Sequence, residues 1–205
     1  MTDGNDPQLA GLPGALLPVT EAELRALHDR LAERADAAGL LDVAYCTIDT
    51  PVGTLLLAAT PAGLVRVAYA SENHDAVLAA LAAQISPRVL NAPRRLDTAA
   101  HEIEEYFTGA RRSFDLPLDF RLAAGFRRAV LGHLPDIGYG QTASYAAVAA
   151  AAGSPRAVRA VGTACATNPL PVIVPCHRVI RSDGSPGRYV GGPAAKQLLL
   201  NLEAA

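Results

Sequence analysis

The chain has 205 residues, half of them apolar, and its 18 basic and 20 acidic side chains give a formal net charge of −2. That length and apolar content suit one compact, two-lobed protein, and no apolar run approaches the roughly 20 residues that a bilayer span requires. The three cysteines, Cys46, Cys165 and Cys176, are too few and too scattered for a disulfide framework, and no Cys-x-x-Cys or His-x-x-x-His spacing suggests zinc.

Met1 to Asp6 carry acidic and polar groups where an export signal would place positive charge ahead of an apolar stretch, so a cytoplasmic location is expected. Met1 to Pro18, punctuated by glycine and proline, reads as a tail. Thr20-Glu21-Ala22-Glu23 has capping-box spacing, and Leu24, Leu27 and Leu31 follow at helical period until Gly39, which predicts an amphipathic helix packed on its leucine face. Three strands are expected at Val43 to Asp49, Thr54 to Ala59 and Leu64 to Tyr69, separated by Pro51-Val52-Gly53 and Pro61-Ala62-Gly63, as an antiparallel meander. Helical spacing recurs over His74 to Gln84 and Asp97 to Thr108, and Phe114 to Leu118 reads as extended.

The charge changes character near Phe120. Residues 1–120 carry 9 basic and 17 acidic side chains, whereas residues 121–205 carry 9 basic and 3 acidic. A basic second half suits a phosphate polymer, although a solvated basic face explains an excess of this size equally well. Phe126 to Leu134 is expected to be helical, as are Ser144 to Ala152 and Arg156 to Ala166, the last with Pro155 in its first turn. The final two, joined at Gly153, make a helix-turn-helix candidate. Arg156 and Arg159 supply charge there, while Ala157, Ala160, Gly162 and Ala164 would let the helix approach a minor groove closely, or simply pack against another helix.

Pro175-Cys176-His177-Arg178 lies between the apolar run Val172 to Val174 and a glycine-punctuated loop. A cysteine beside a histidine can act as a thiolate nucleophile, because the imidazole can take the thiol proton. A buried, inert cysteine is the competing reading.

Several motifs occur in one order: Gly140 to Tyr145 before a helix, Arg159-Ala160-Val161-Gly162, Asn168-Pro169, Pro171 to Arg178, Tyr189 with Gly191-Gly192, then Lys196 and Glu203. On these residues the chain resembles the O6-alkylguanine-DNA alkyltransferases, also called methylated-DNA-protein-cysteine methyltransferases. The upstream lobe, with Pro51-Val52-Gly53 and the Tyr106-Phe107 helix, looks like that family's amino-terminal domain.

The resemblance implies an α+β two-lobed fold. Its amino-terminal lobe would be a ribonuclease H-like antiparallel sheet with helices, and its carboxy-terminal lobe mostly helical and winged-helix-like, carrying the helix-turn-helix. Three segments follow: 1–40 as tail and amphipathic helix, 41–120 as the amino-terminal domain and 121–205 as the DNA-binding alkyltransferase domain. The implied activity is direct repair, with an alkyl group moving once and irreversibly from guanine O6, or thymine O4, in double-stranded DNA to Cys176. No cofactor and no metal are expected, and the protein would act as a monomer through the minor groove.

Roles follow from the same resemblance. His177 would be the base for Cys176, acting directly or through a water, with Glu203 holding its other nitrogen and Asn168 fixing the facing turn. Tyr145 would donate a proton to guanine N3. Backbone groups of Cys176, Val179 and Val190 would read the guanine edge, Tyr189 would wall the pocket, and Arg159 would fill the gap left by the flipped nucleotide or contact a phosphate. Many relatives have glycine or asparagine before that tyrosine and serine or arginine after it. This chain has Arg188 and Val190, which leaves the preferred alkyl size open. A cysteine hydrolase built on the same residues, and a non-enzymatic binder of alkylated DNA, are the competing functions.

Overall fold

The computed structural model describes residues 20–204; the expected tail from Met1 to Pro18 lies outside them. Thr20 caps α1 (Glu21–Ala37) with the expected box: its hydroxyl accepts from Glu23 N at 3.2 Å, and the Glu23 carboxylate accepts from Thr20 N at 2.9 Å. The docking face differs from expectation. Leu24, Leu27 and Leu31 are 62, 52 and 55% exposed, while Ala32 and Ala35 meet Leu41, Ala44 and Ala92. His28 bonds Asn91 O, and Glu33 and Asp36 pair with Arg94 and Arg95. Small side chains allow that close approach, and these polar ties hold the helix so that its leucines turn outward.

The meander forms as expected from β1 (Val43–Thr50), β2 (Gly53–Thr60) and β3 (Gly63–Tyr69). After α2 (His74–Gln84) a short β4 (Val89–Asn91) pairs parallel to β1, so the sheet has the order β3-β2-β1-β4 and is mixed rather than purely antiparallel. Three residues are too few to show strand alternation in sequence. From Leu55 to Thr60 every residue is buried, because both sheet faces are covered. Leu56, Ala58 and Ala68 pack on Val77 and Leu81 of α2. On the other face Leu55, Leu57, Val67 and Tyr69 share one core with Ile103 and Tyr106 of α3 (Asp97–Phe107) and with Val161, Val174 and Leu199 of the second lobe. The two lobes are therefore halves of one packed body.

The second lobe comprises α4 (Gly125–His133), α5 (Tyr145–Ala151), α6 (Val158–Ala166) and α7 (Gly192–Ala204). Ser144 caps α5 by accepting from Ala147 N at 3.1 Å. Pro155 does not enter α6, which begins only at Val158, because Ala157 N bonds Ser154 O at 2.8 Å and closes a separate turn. The segment from Phe114 to Leu118 contributes a single bridge, Leu118 to Leu64. Two strands too short to read in sequence, β5 (Ala143–Ser144) and β6 (Val179–Ile180), pair in parallel with Ala143 opposite Val179. That pairing fixes the start of α5 next to the chain that follows Cys176. No helix among the described residues is long and apolar enough to cross a membrane.

Candidate active site at Cys176

The chain from Asn168 to Val179 is buried throughout. Asn168 organises it: Nδ2 donates to Val174 O at 2.8 Å and to Cys176 Sγ at 3.1 Å, while Oδ1 accepts from Leu170 N at 3.0 Å. The turn ahead of the cysteine holds Val172 at φ +73°, a left-handed conformation that strains a β-branched residue by about 1–3 kcal/mol. It persists because the amino lobe grips the same turn, with Val67 N donating to Pro169 O at 2.8 Å and Arg66 to Asn168 O at 3.4 Å.

Cys176 and His177 have no solvent exposure. His177 Nε2 lies 2.9 Å from Glu203 Oε1, and Nδ1 has no hydrogen-bond partner. An ionised carboxylate only accepts, so Nε2 carries the hydrogen and Nδ1 is the free acceptor. No direct hydrogen bond joins His177 to Cys176 among the described residues.

Glu203 accepts from five donors. Besides His177 these are Arg178 Nε and Nη2, each at 2.9 Å, Tyr106 Oη at 2.7 Å and Gly140 N at 3.2 Å. The donors hold its pKa down to about 2, against the opposing effect of burial. Gly140 reaches the carboxylate only because it lacks a side chain: at φ +71°, a Cβ there would lie 2.8 Å from Glu203 O. Burial lowers the His177 pKa more than Glu203 raises it. Arg178 already neutralises the carboxylate, so a second buried cation would be unmatched and the imidazole stays neutral, as a base requires.

Burial pushes the Cys176 thiol up to about 11, opposed by the Asn168 hydrogen bond and the charge of Lys196. Lys196 has no exposure and donates to Val179 O at 2.6 Å. Burial likewise raises Cys46 to about 11. These groups predict how stability varies with pH. Unfolded thiols ionise above roughly 8.5 and the buried ones do not, so stability falls as pH rises past that value. An unfolded imidazole binds a proton below about 6.5 while His177 resists it, so stability also falls on that side. Glu203 adds a further loss as pH drops from about 4.3 toward 2. Urea midpoints are expected to peak near pH 7–8; a flat profile from pH 5 to 9 would contradict these environments.

Tyr145 opens α5, half-buried, and burial raises its pKa, so the phenol keeps its proton and can donate it. A Cβ on Gly187 would lie 2.6 Å from Tyr145 Oη, so a glycine is needed there for the loop to seat on the phenol. Tyr189 is buried and its hydroxyl meets that of Tyr69, from β3, at 2.9 Å. The two pocket residues flanking that tyrosine part company. Arg188 borders a cavity of about 480 Å³ together with Tyr145, Arg159, Gly162 and Arg181, whereas Val190 borders a second cavity of about 420 Å³ between the lobes, with Asn168 and Arg66. Ala166 lines both. Val179 is buried and pairs with Ala143; Arg156, Arg159 and Ala160 are exposed and Ala157 is half-buried.

Sequence reasoning assigned no role to Arg178, Tyr106, Tyr69 or Lys196. Two of these had a signal: Arg178 sits in the Pro-Cys-His-Arg motif, and Lys196 precedes Glu203 by two helical turns. No cluster of three or more metal-binding side chains occurs among the described residues.

Fold and site together define a cysteine-based group-transfer protein. The sequence model of the 6-O-methylguanine DNA methyltransferase DNA binding domain matches residues 125–205, and that of the family's ribonuclease-like domain matches residues 43–120. A methylated-DNA–protein-cysteine methyltransferase of Methanosarcina barkeri is 37% identical over 78% of this chain and 96% of its own, and the constitutive enzyme of Bacillus subtilis is 37% identical over 78% and 94%. The crystal structure of Mycobacterium tuberculosis OGT in complex with DNA matches with a TM-score of 0.67 at 36% identity, covering 78% of this chain and 92% of that one. The chain belongs to the 6-O-methylguanine DNA methyltransferase family.

Proposed function

We infer that the protein repairs DNA directly, moving an alkyl group from guanine O6, or thymine O4, to Cys176 once and irreversibly. The observation that carries this reading is the buried set of Cys176, Asn168, His177 and Glu203, joined by Asn168 Nδ2 to Cys176 Sγ and by His177 Nε2 to Glu203, within this family's fold. His177 Nδ1 takes the thiol proton, through an intervening water where the two do not touch. The sulfur attacks the alkyl carbon, the carbon–O6 bond breaks and its electron pair moves into the purine, while Tyr145 Oη donates a proton to N3. Glu203 fixes the imidazole tautomer, and Lys196 favours the thiolate as it forms. Because the thioether leaves no route back to the thiol, each molecule acts once.

The acting unit on DNA is a monomer, in a cytoplasm that keeps its three cysteines reduced; none of them is paired. Residues 121–205 form the DNA-binding alkyltransferase domain, 41–120 the amino-terminal domain, and 1–40 an addition ahead of both. The α5–α6 pair enters the minor groove along its Ala157 and Ala160 side, with Arg156 on phosphates and Arg159 in the gap left by the flipped nucleotide. The charges favour this. Arg156, Arg159, Arg181 and Arg188 are exposed and pair with no carboxylate among the described residues, which leaves their charge available to phosphates.

Intact mass spectrometry after mixing with an O6-methylguanine duplex tests the reading. One methyl group per protein is expected, on the peptide that holds Cys176. More than one equivalent transferred per protein, or a methyl group on another residue, overturns it.

A further inference from the structure

We propose that Arg181 and Arg188 form a phosphate subsite, so that the cavity beside Tyr145 takes the lesion as a nucleoside 3′,5′-bisphosphate unit and grips the two phosphodiesters flanking the flipped base. This rests on alkylated DNA being the substrate. The cavity, about 480 Å³, falls within the usual size range of small-molecule sites. One wall is α6, with Arg159, Gly162 and Ala166; the other is the loop between β6 and α7, with Arg181, Gly187 and Arg188. Both loop arginines are exposed, and neither has a salt bridge or a side-chain hydrogen bond among the described residues.

The loop is built to hold them. Arg181 N donates to Ser185 O at 2.9 Å and Gly184 N to Arg181 O at 3.0 Å, closing a turn directly after β6. The one carboxylate on the loop, Asp183, is engaged by Ser185 N at 2.9 Å and Ser185 Oγ at 2.7 Å rather than by an arginine. Further along, Gly187 seats on the Tyr145 ring and Tyr189 is buried, which fixes the backbone on both sides of Arg188 and leaves its own side chain outside. Arg181 lines the cavity together with Tyr145, so its charge acts there and not only on the outer surface.

A guanidinium fork matches phosphate oxygens in two-point geometry, and a bare purine offers no anion for two such groups. Arg159 stands on the opposite wall, which divides the labour: α6 deals with the duplex, and the loop with the extruded nucleotide.

The test compares O6-benzyl-2′-deoxyguanosine with its 3′,5′-bisphosphate, using the second-order rate of Cys176 alkylation in the full chain at low salt. The bisphosphate is expected to react at least about tenfold faster, each charge-assisted contact supplying a factor of that order. In the Arg181→Gln/Arg188→Gln double variant that ratio should collapse to near 1, whereas Arg159→Gln should keep it. On duplex substrate the double variant should also lower the log–log salt slope by about 2, close to one unit for each phosphate that is no longer neutralised. Equal rates for the two probes in the unaltered protein, or a ratio that survives in the double variant, overturns the subsite. Failure of the underlying reading looks different: neither probe nor duplex then alkylates Cys176 at all. Both residues are exposed, and thermal unfolding of the double variant confirms that the fold is retained.

Discussion

Glu203→Ala is expected to lower the unfolding free energy by about 3–5 kcal/mol, the usual loss when one member of a buried charged pair is removed, and to stop alkyl transfer. Five donors converge on this carboxylate. Without it Arg178 keeps one partner, Ile137 O at 2.6 Å, and becomes a buried cation with no counter-charge. The Tyr106 hydroxyl loses its acceptor, and His177 loses the partner that decides which nitrogen carries the hydrogen. Glu203→Gln keeps the shape but turns an amide NH2 toward donors, so it should fall between the alanine variant and the native protein. Urea unfolding monitored by circular dichroism measures the first effect, and single-turnover transfer from a methylated duplex the second. An unchanged urea midpoint would mean that the donor cluster contributes nothing to the fold.

Cys176→Ala should abolish transfer outright while leaving the protein folded and able to bind alkylated duplex. The exchange removes one buried sulfur, with a stability loss on the order of 1 kcal/mol. Asn168 Nδ2 retains Val174 O as an acceptor, so the turn that carries position 176 stays in place. Arg156, Arg159, Arg181 and Arg188 lie outside the buried cluster, and affinity for DNA should survive. Cys176→Ser should be nearly as inert, because a neutral imidazole cannot deprotonate an alcohol as readily as a thiol. Mobility shift and intact mass report the two properties separately. Label transferred to the alanine variant at the native level would place the acceptor elsewhere.

Some of this site is legible along the chain because it is local. Cys176 and His177 are neighbours, the capping box at Thr20 spans four residues, and each of the two meander turns carries a glycine, Gly53 and Gly63. Glu203 and Asn168 become legible only through motif order, since nothing in their immediate surroundings marks them. The other contributors come from distant segments. Tyr106 reaches Glu203 across 97 positions and Tyr69 reaches Tyr189 across 120, and in isolation each is an ordinary core tyrosine. The outward turn of Leu24, Leu27 and Leu31 was likewise invisible: helical period fixes which residues share a face, but not which face meets the body. The strands β4, β5 and β6 have two or three residues each, below the length at which alternation carries information.

Tyr106 belongs to α3 in the amino lobe, yet its hydroxyl completes the donor set around the Glu203 carboxylate. The ribonuclease-like half thus supports the proposed catalytic cluster directly and is not inert ballast. A minimal version trimmed to the DNA-gripping half would inherit a short-handed Glu203 and a raw apolar wall where Leu55, Leu57 and Val67 had been. Anyone seeking to miniaturise this protein must first supply a surrogate for one phenol.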